Sequence, residues 1–172
     1  MGPRGTPPLY TPAERARRDA SVWTRVQGVL APLQFLVFLV SLVLVIRYLA
    51  TGAGYELATL SILAKTALLY LIMVTGAIWE KAVFGRYLFA PAFFWEDVFS
   101  FAVIGLHTAY LWMLFAGTAG PRAEMVIALA AYAAYVINAA QFLLKLRQAR
   151  RQGEAPAPEA ATILLHAEHA RP

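Results

Sequence analysis

Long apolar runs separated by short polar breaks dominate this chain. The runs show neither the alternation of a half-buried strand nor the one-sided stripe of a soluble helix. A bilayer core of about 30 Å needs about 20 apolar residues per crossing helix. Four runs reach that length: Val26–Leu49, Leu57–Trp79, Phe93–Phe115 and Ala123–Leu146. They predict an all-α fold, an integral membrane four-helix bundle. The breaks read TGAGYE, EKAVFGRYLFAPA and AGTAGPR. Gly52, Gly54, Gly117, Gly120 and Pro121 mark the first and third as tight turns. The second is longer, aromatic and charged, which suits a functional segment better than a plain link. On this reading residues 1–25 form a basic N-terminal segment and 26–146 the membrane domain. Residues 147–172 form an Ala/Pro-rich tail expected to be disordered.

Charge adds an orientation. Five of the 15 Lys and Arg residues precede the first run, and five more follow from Lys145 onward. The middle break holds Lys81 and Arg86, whereas the other two breaks offer only Arg47 and Arg122. The positive-inside rule then predicts both termini and the middle break on the cytoplasmic side. The net charge of +5 therefore reports topology and not nucleic-acid binding. The N-terminal MGPRGTPPLYTPAERARRDA is too polar for a signal peptide. Cysteine is absent, which excludes disulfides, thiol catalysis and Cys-ligated zinc or iron–sulfur centres. His166 and His169 fall in the tail and read as solvated side chains.

Several polar residues interrupt the apolar runs. Gln27, Gln34, Ser41 and Tyr48 recur at a spacing of about two helical turns and so share a stripe. That stripe serves either interhelical hydrogen bonding or the polar wall of a ligand cavity. Lys65 lies about 21 Å of helix from Trp79, in the outer half of the membrane. Its flexible stem is expected to snorkel outward, with a functional charge as the alternative. Tyr135, Asn138 and Gln141 follow one another at three-residue spacing, within reach of a neighbouring helix or a bound polar group. The Ala-rich stretch IALAAYAAYVINAA around them allows close backbone approach.

Candidate chemistry gathers where the second run ends and the third begins. Glu80, Glu96 and Asp97 stand there beside Trp79 and Trp95, and carboxylates at the edge of lipid-soluble segments are costly. Glu80 sits where the helix dipole is negative, so helix stability does not explain it. A pair with Lys81 or Arg86 is its structural alternative. Glu96 and Asp97 open the third run, where the dipole favours acids and a stabilising role competes. Glu96, Ser100, Val103 and His107 share one helical face. His107 lies about 15 Å in from Asp97, near the bilayer centre. A hydrogen bond to another helix competes there with a ligand or proton-transfer role.

These residues admit three classes of function. An enzyme on a lipid-soluble substrate would use the carboxyls as acid and base. A proton-coupled transporter is disfavoured, because the acids cluster at one face. A b-type haem protein needs two membrane histidines per haem, and only His107 lies within a run.

The strings LYTPAERARRDASVWTRVQGVLAPLQFLVFLVSLVLVIRYLATG, VTGAIWEKAVFGRYLFAPAFFWEDVFS and LHTAYL narrow the choice. Together they resemble the 3-vinyl bacteriochlorophyllide hydratase family of bacteriochlorophyll biosynthesis, over roughly residues 9–150. The resemblance implies a hydro-lyase of the bacterial inner membrane. It would add water across the 3-vinyl group of chlorophyllide a or 3-vinyl bacteriochlorophyllide, giving the 3-(1-hydroxyethyl) product. A non-catalytic pigment-binding or pigment-transfer protein is the alternative. No redox cofactor is implied, because the Mg is carried by the substrate macrocycle. His107 or a water would bind that Mg axially. Trp79, Trp95, Phe93 and Phe94 would pack on the flat ring, and Lys81 or Arg86 would pair with its propionate. Gln34 and Asn138 are further substrate-binding candidates. Glu80 and Glu96 are the expected acid/base pair, with Asp97 the close competitor. The bilayer is a partner throughout. A homo-oligomer or an assembly with other pigment-biosynthesis enzymes stays open.

Overall fold

The computed structural model describes residues 8–154. Five helices follow in order: α1 (Pro12–Ala20), α2 (Val22–Thr51), α3 (Tyr55–Phe84), α4 (Phe94–Ala116) and α5 (Pro121–Glu154). Helices α2 to α5 are each long and apolar enough to cross a membrane. At 30 residues, α2 and α3 reach about 45 Å, so each outruns the hydrocarbon core. No strand occurs among the described residues. The fold is therefore the expected all-α bundle of membrane-type helices.

Its boundaries correct the sequence reading in three places. The basic N-terminal segment contains α1, because Thr11 and Glu14 form a reciprocal capping box with Pro12 at the helix start. Thr11 N–H donates to Glu14 Oε2 (2.8 Å), and Glu14 N–H donates to Thr11 Oγ1 (3.3 Å). At its other end Ser21 separates α1 from α2 and accepts from Trp23 N–H at 3.2 Å. Helix α3 continues through Glu80 to Phe84 and closes at Gly85, whose φ of 82° favours glycine. The middle link thus shrinks to residues 85–93. Helix α5 runs eight residues past Leu146, to Glu154. The rest of the expected tail, with His166 and His169, lies outside the described residues.

Two antiparallel hairpins, α2/α3 and α4/α5, are packed closely within themselves. They meet along α2–α5 and, more sparsely, along α3–α4. The Ala-rich face of α5 makes close approach possible, with Ala128 and Ala131 fully buried beside Tyr132. The distribution of polarity is that of a protein solvated by lipid. Leu36, Val40, Val43, Leu60 and Phe115 face outward, whereas Gln34, Ser41, Lys65, Ser100, His107 and Asn138 are buried.

The polar stripe of α2 points inward and bonds its neighbours. Gln27 Nε2 donates to Thr75 Oγ1 at 2.8 Å, and Ser41 Oγ bonds Ser61 Oγ at 2.7 Å and the Tyr132 hydroxyl at 2.5 Å. Tyr48 packs its ring against Tyr55 at 5.6 Å. The expectation for Lys65 fails. Its side chain does not snorkel but turns into the bundle, where Nζ meets His107 Nε2 at 2.9 Å. Tyr135 and Tyr132 offer ring faces to the same Nζ at 4.1 and 5.3 Å. These contacts take the place of water around the side-chain nitrogen.

One end of the bundle collects α1, residues 85–93 and the end of α5. Arg17 Nε donates to Val83 O at 2.7 Å, and Lys145 Nζ donates to Ala92 O. Tyr10 stacks on Phe84 at 5.7 Å and packs on Phe93 at 6.3 Å. The three basic segments thus share one face of the molecule.

Candidate functional site

Glu80 and Asp97 come together across the α3–α4 seam, each close enough to feel the other's carboxyl. Two carboxyl groups so placed can share one proton. Both side chains are buried, at 5% and 3% exposure. The link above them supplies two successive backbone donors. Phe89 N–H donates to Asp97 Oδ2 at 2.7 Å, and Ala90 N–H donates to Glu80 Oε2 at 3.2 Å. Phe89 adopts φ 57°, a left-handed conformation rare for a bulky residue. That strain aims consecutive N–H groups at one spot, a device common at functional sites.

Glu96 is set apart from this pair. Its Oε2 takes an ion pair from Lys145 Nζ at 2.7 Å, and the Lys145 ammonium also lies 5.3 Å from the Phe93 ring. The helical face from Glu96 through Ser100 and Val103 to His107 is buried as the periodicity predicts. Each member nevertheless has its own partner. Asn138 Nδ2 donates to Ser100 Oγ at 2.8 Å. His107 donates from Nδ1 to Val103 O at 2.8 Å, so Nε2 is the acceptor from Lys65. Both ring nitrogens are engaged, and axial ligation of a substrate Mg by His107 requires Lys65 to leave Nε2.

The aromatic candidates divide into two groups. Trp79 faces inward, donating from Nε1 to Thr24 Oγ1 at 2.9 Å and packing on Phe93 at 5.6 Å. Phe93 is buried and stacks on Phe142 at 5.9 Å. Trp95 and Phe94 point away from the acids, at 65% and 43% exposure, and form an outer patch with Phe89 and Phe101. Lys81 and Arg86 are exposed and do not pair with Glu80. Lys81 instead donates to Gly85 O at 2.9 Å. Gln34 is buried, and its Oε1 has no hydrogen-bond partner among the described residues.

Sequence reasoning missed the partner of Glu96 and the backbone donors. The first was available: Asn138, Gln141 and Lys145 share a helical face, so Lys145 belongs with the polar stripe and not with the tail. The second had only Pro91 as a hint, which biases Ala90 toward extended backbone. Pairing of Lys65 with His107 is a tertiary fact with no local signature.

A family model described as 2-vinyl bacteriochlorophyllide hydratase matches residues 10–148. A protein of that name from Rhodobacter capsulatus is 71% identical over 157 residues, covering 91% of this chain and 90% of its own. One from Cereibacter sphaeroides is 73% identical over 148 residues, covering 86% and 91%. No solved structure matches.

Proposed function

The chain belongs to the 2-vinyl bacteriochlorophyllide hydratase family, and from this premise we propose how its carboxyl pair adds water to the vinyl group. The 2-vinyl and 3-vinyl names are synonyms, and the protein is a hydratase, a hydro-lyase, of bacteriochlorophyll synthesis. The substrate in this reading is chlorophyllide a or 3-vinyl bacteriochlorophyllide, and the product carries a 3-(1-hydroxyethyl) group.

The proton shared by Glu80 and Asp97 goes to the terminal vinyl carbon, which becomes a methyl group. Positive charge forms at the inner carbon and spreads into the macrocycle. The carboxylate left behind lies close to that cation and stabilises it. A water oxygen bonds to the inner carbon, and one of its protons returns to the carboxyl pair. The sum is H–OH added across one C=C bond, with the pair restored. The Phe89 and Ala90 N–H groups hold both acids in place through the cycle, and the Mg remains part of the substrate. The exposed Phe89, Phe94 and Phe101 rings offer a flat ring somewhere to lie beside the link. This face is cytoplasmic by the positive-inside rule, in the bacterial inner membrane.

The observation that carries the reading is the buried Glu80 and Asp97 side by side beneath two successive backbone donors. In this reading Glu96, held by its ion pair with Lys145, stays outside the chemistry. Glu80→Gln and Asp97→Asn are expected to lower kcat by about 10²–10⁴-fold, the usual worth of a general acid or base. Turnover is followed by the blue shift of the pigment as vinyl conjugation is lost. Near-normal turnover in both variants sinks the proposal. Binding without any shift in the unaltered protein identifies a pigment carrier.

A further inference from the structure

Three amide oxygens, Gln34 Oε1, Asn138 Oδ1 and Gln141 Oε1, are buried without a hydrogen-bond partner among the described residues. Leaving such an acceptor unpaired costs about 1–3 kcal/mol, so native proteins supply partners, often water.

The three belong to one layered row. Phe38 packs its ring on Tyr135 at 4.9 Å, which fixes the register of antiparallel α2 and α5. Gln34 lies one turn from Phe38, about 6 Å along α2, and Asn138 about 4.5 Å beyond Tyr135 along α5. Both displacements point toward the end of the bundle that holds the carboxyls. Each amide shares the face of its ring, so the two reach the same layer. Asn138 also bonds Ser100, one turn inward from Glu96 on α4. Gln141 stands one further turn outward on the same face of α5, and Lys145, a turn beyond it, ties Glu96.

The buried oxygens call for a donor, and the NH2 groups of Gln34 and Gln141 suit an occupant that can also accept. A substrate carboxylate has no proton to give, and the macrocycle nitrogens hold Mg. In the reaction proposed above, the donors are water and the alcohol it becomes. We propose that Gln34, Asn138 and Gln141 hold the water consumed by the hydratase and lead it to the Glu80–Asp97 pair. The inference rests on that reading of the reaction. Amide oxygens accepting the O–H bonds leave the oxygen lone pair free for the cationic carbon. The proton released in forming the C–O bond passes to the carboxylate. The row also solves a supply problem: a hydratase in an apolar bundle needs its second substrate ordered inside.

The test uses the full-length protein with Gln34→Met and Asn138→Leu, near-isosteric changes that remove the acceptor, beside Glu80→Gln. Binding of the vinyl pigment is read from its absorbance, and turnover separately. The expected result is a kcat at least tenfold lower in both variants, with Kd within twofold of the unaltered protein. A merely structural role moves Kd and folding along with kcat. Unchanged kcat in both variants, or a Kd that rises as far as kcat falls, overturns the water row. Full activity in Glu80→Gln overturns the carboxyl mechanism instead, while the split between kcat and Kd still decides the row. If Asn138→Leu does not assemble, because Ser100 loses its partner, Gln34→Met decides alone.

Discussion

Removal of the Lys145 ammonium tests whether Glu96 is a structural acid. In Lys145→Met the apolar stem persists, but the 2.7 Å ion pair and the bond to Ala92 O are lost. At an effective dielectric of about 20, that separation is worth ~6 kcal/mol of gross attraction. Most of it repays the desolvation of both groups. Breaking a fully buried pair from one side costs about 3–5 kcal/mol. The Glu96 side chain is 7% exposed but that of Lys145 is 23%, so water screens part of the interaction. About 2 kcal/mol of destabilisation is expected, which lowers Tm by roughly 4–8 °C for a chain of this size. Glu96→Gln in the same background removes the stranded charge and should recover at least half of the loss. The assay is thermal unfolding in detergent across the double-mutant cycle, with hydratase turnover measured below each transition. The kcat of both single variants should stay within about threefold of the unaltered protein, far from the general-acid range. The reasoning is refuted if Lys145→Met keeps its Tm, or if the two losses simply add. A hundredfold drop in kcat for Glu96→Gln at unchanged Tm would return Glu96 to the chemistry.

The two tryptophans beside the acids separate by the same approach. Trp79→Phe loses the bond to Thr24 and should cost about 1 kcal/mol in thermal unfolding. Trp95→Phe, at 65% exposure, should stay within ~0.5 kcal/mol. Ser41→Ala strips partners from the Tyr132 and Ser61 hydroxyls and should cost about 1–3 kcal/mol, read from the same unfolding curves. Tyr10 gives a pH dependence outside the membrane. Burial pushes its phenol above the ordinary 10.0, against the opposing pull of Arg18. Because the folded value is the higher one, its contribution to docking is complete below pH 10 and is lost as pH rises through the folded value. Labelling of a single cysteine placed on α1 of this cysteine-free chain should therefore accelerate above pH 10, and Tyr10→Phe should abolish that rise. A rate indifferent to Tyr10→Phe removes the phenol as the cause.

Much of the architecture is written locally. Twenty-residue apolar runs admit few folds in lipid, because every backbone group must find an internal partner. The glycine turns and the inward stripe of α2 follow from spacing alone, and so does the shared face of Glu96, Ser100 and His107. Even α1 was legible, since Thr11, Pro12 and Glu14 spell a capping box. The site was legible as a set of residues and not as a set of pairs. Periodicity along α4 groups Glu96 with His107, yet the decisive contacts cross between helices. Asp97 reaches Glu80, Glu96 reaches Lys145 and His107 reaches Lys65. Rotation and register between helices are set by packing over the whole bundle, which no single helix encodes. Lys65 shows the limit best. A snorkelling lysine and a buried one share the same local sequence, and only two tyrosines and a histidine from other helices distinguish them.

The seam between α3 and α4 is crossed by few contacts, and the polar ones join side chains from opposite hairpins. Glu80 meets Asp97, Tyr70 meets Thr108 and Lys65 meets His107. Neither hairpin alone brings two acids together, since Glu80 belongs to the first and Asp97 to the second. On the proposed mechanism, the acid that protonates the vinyl group therefore exists only once the second hairpin has docked on the first.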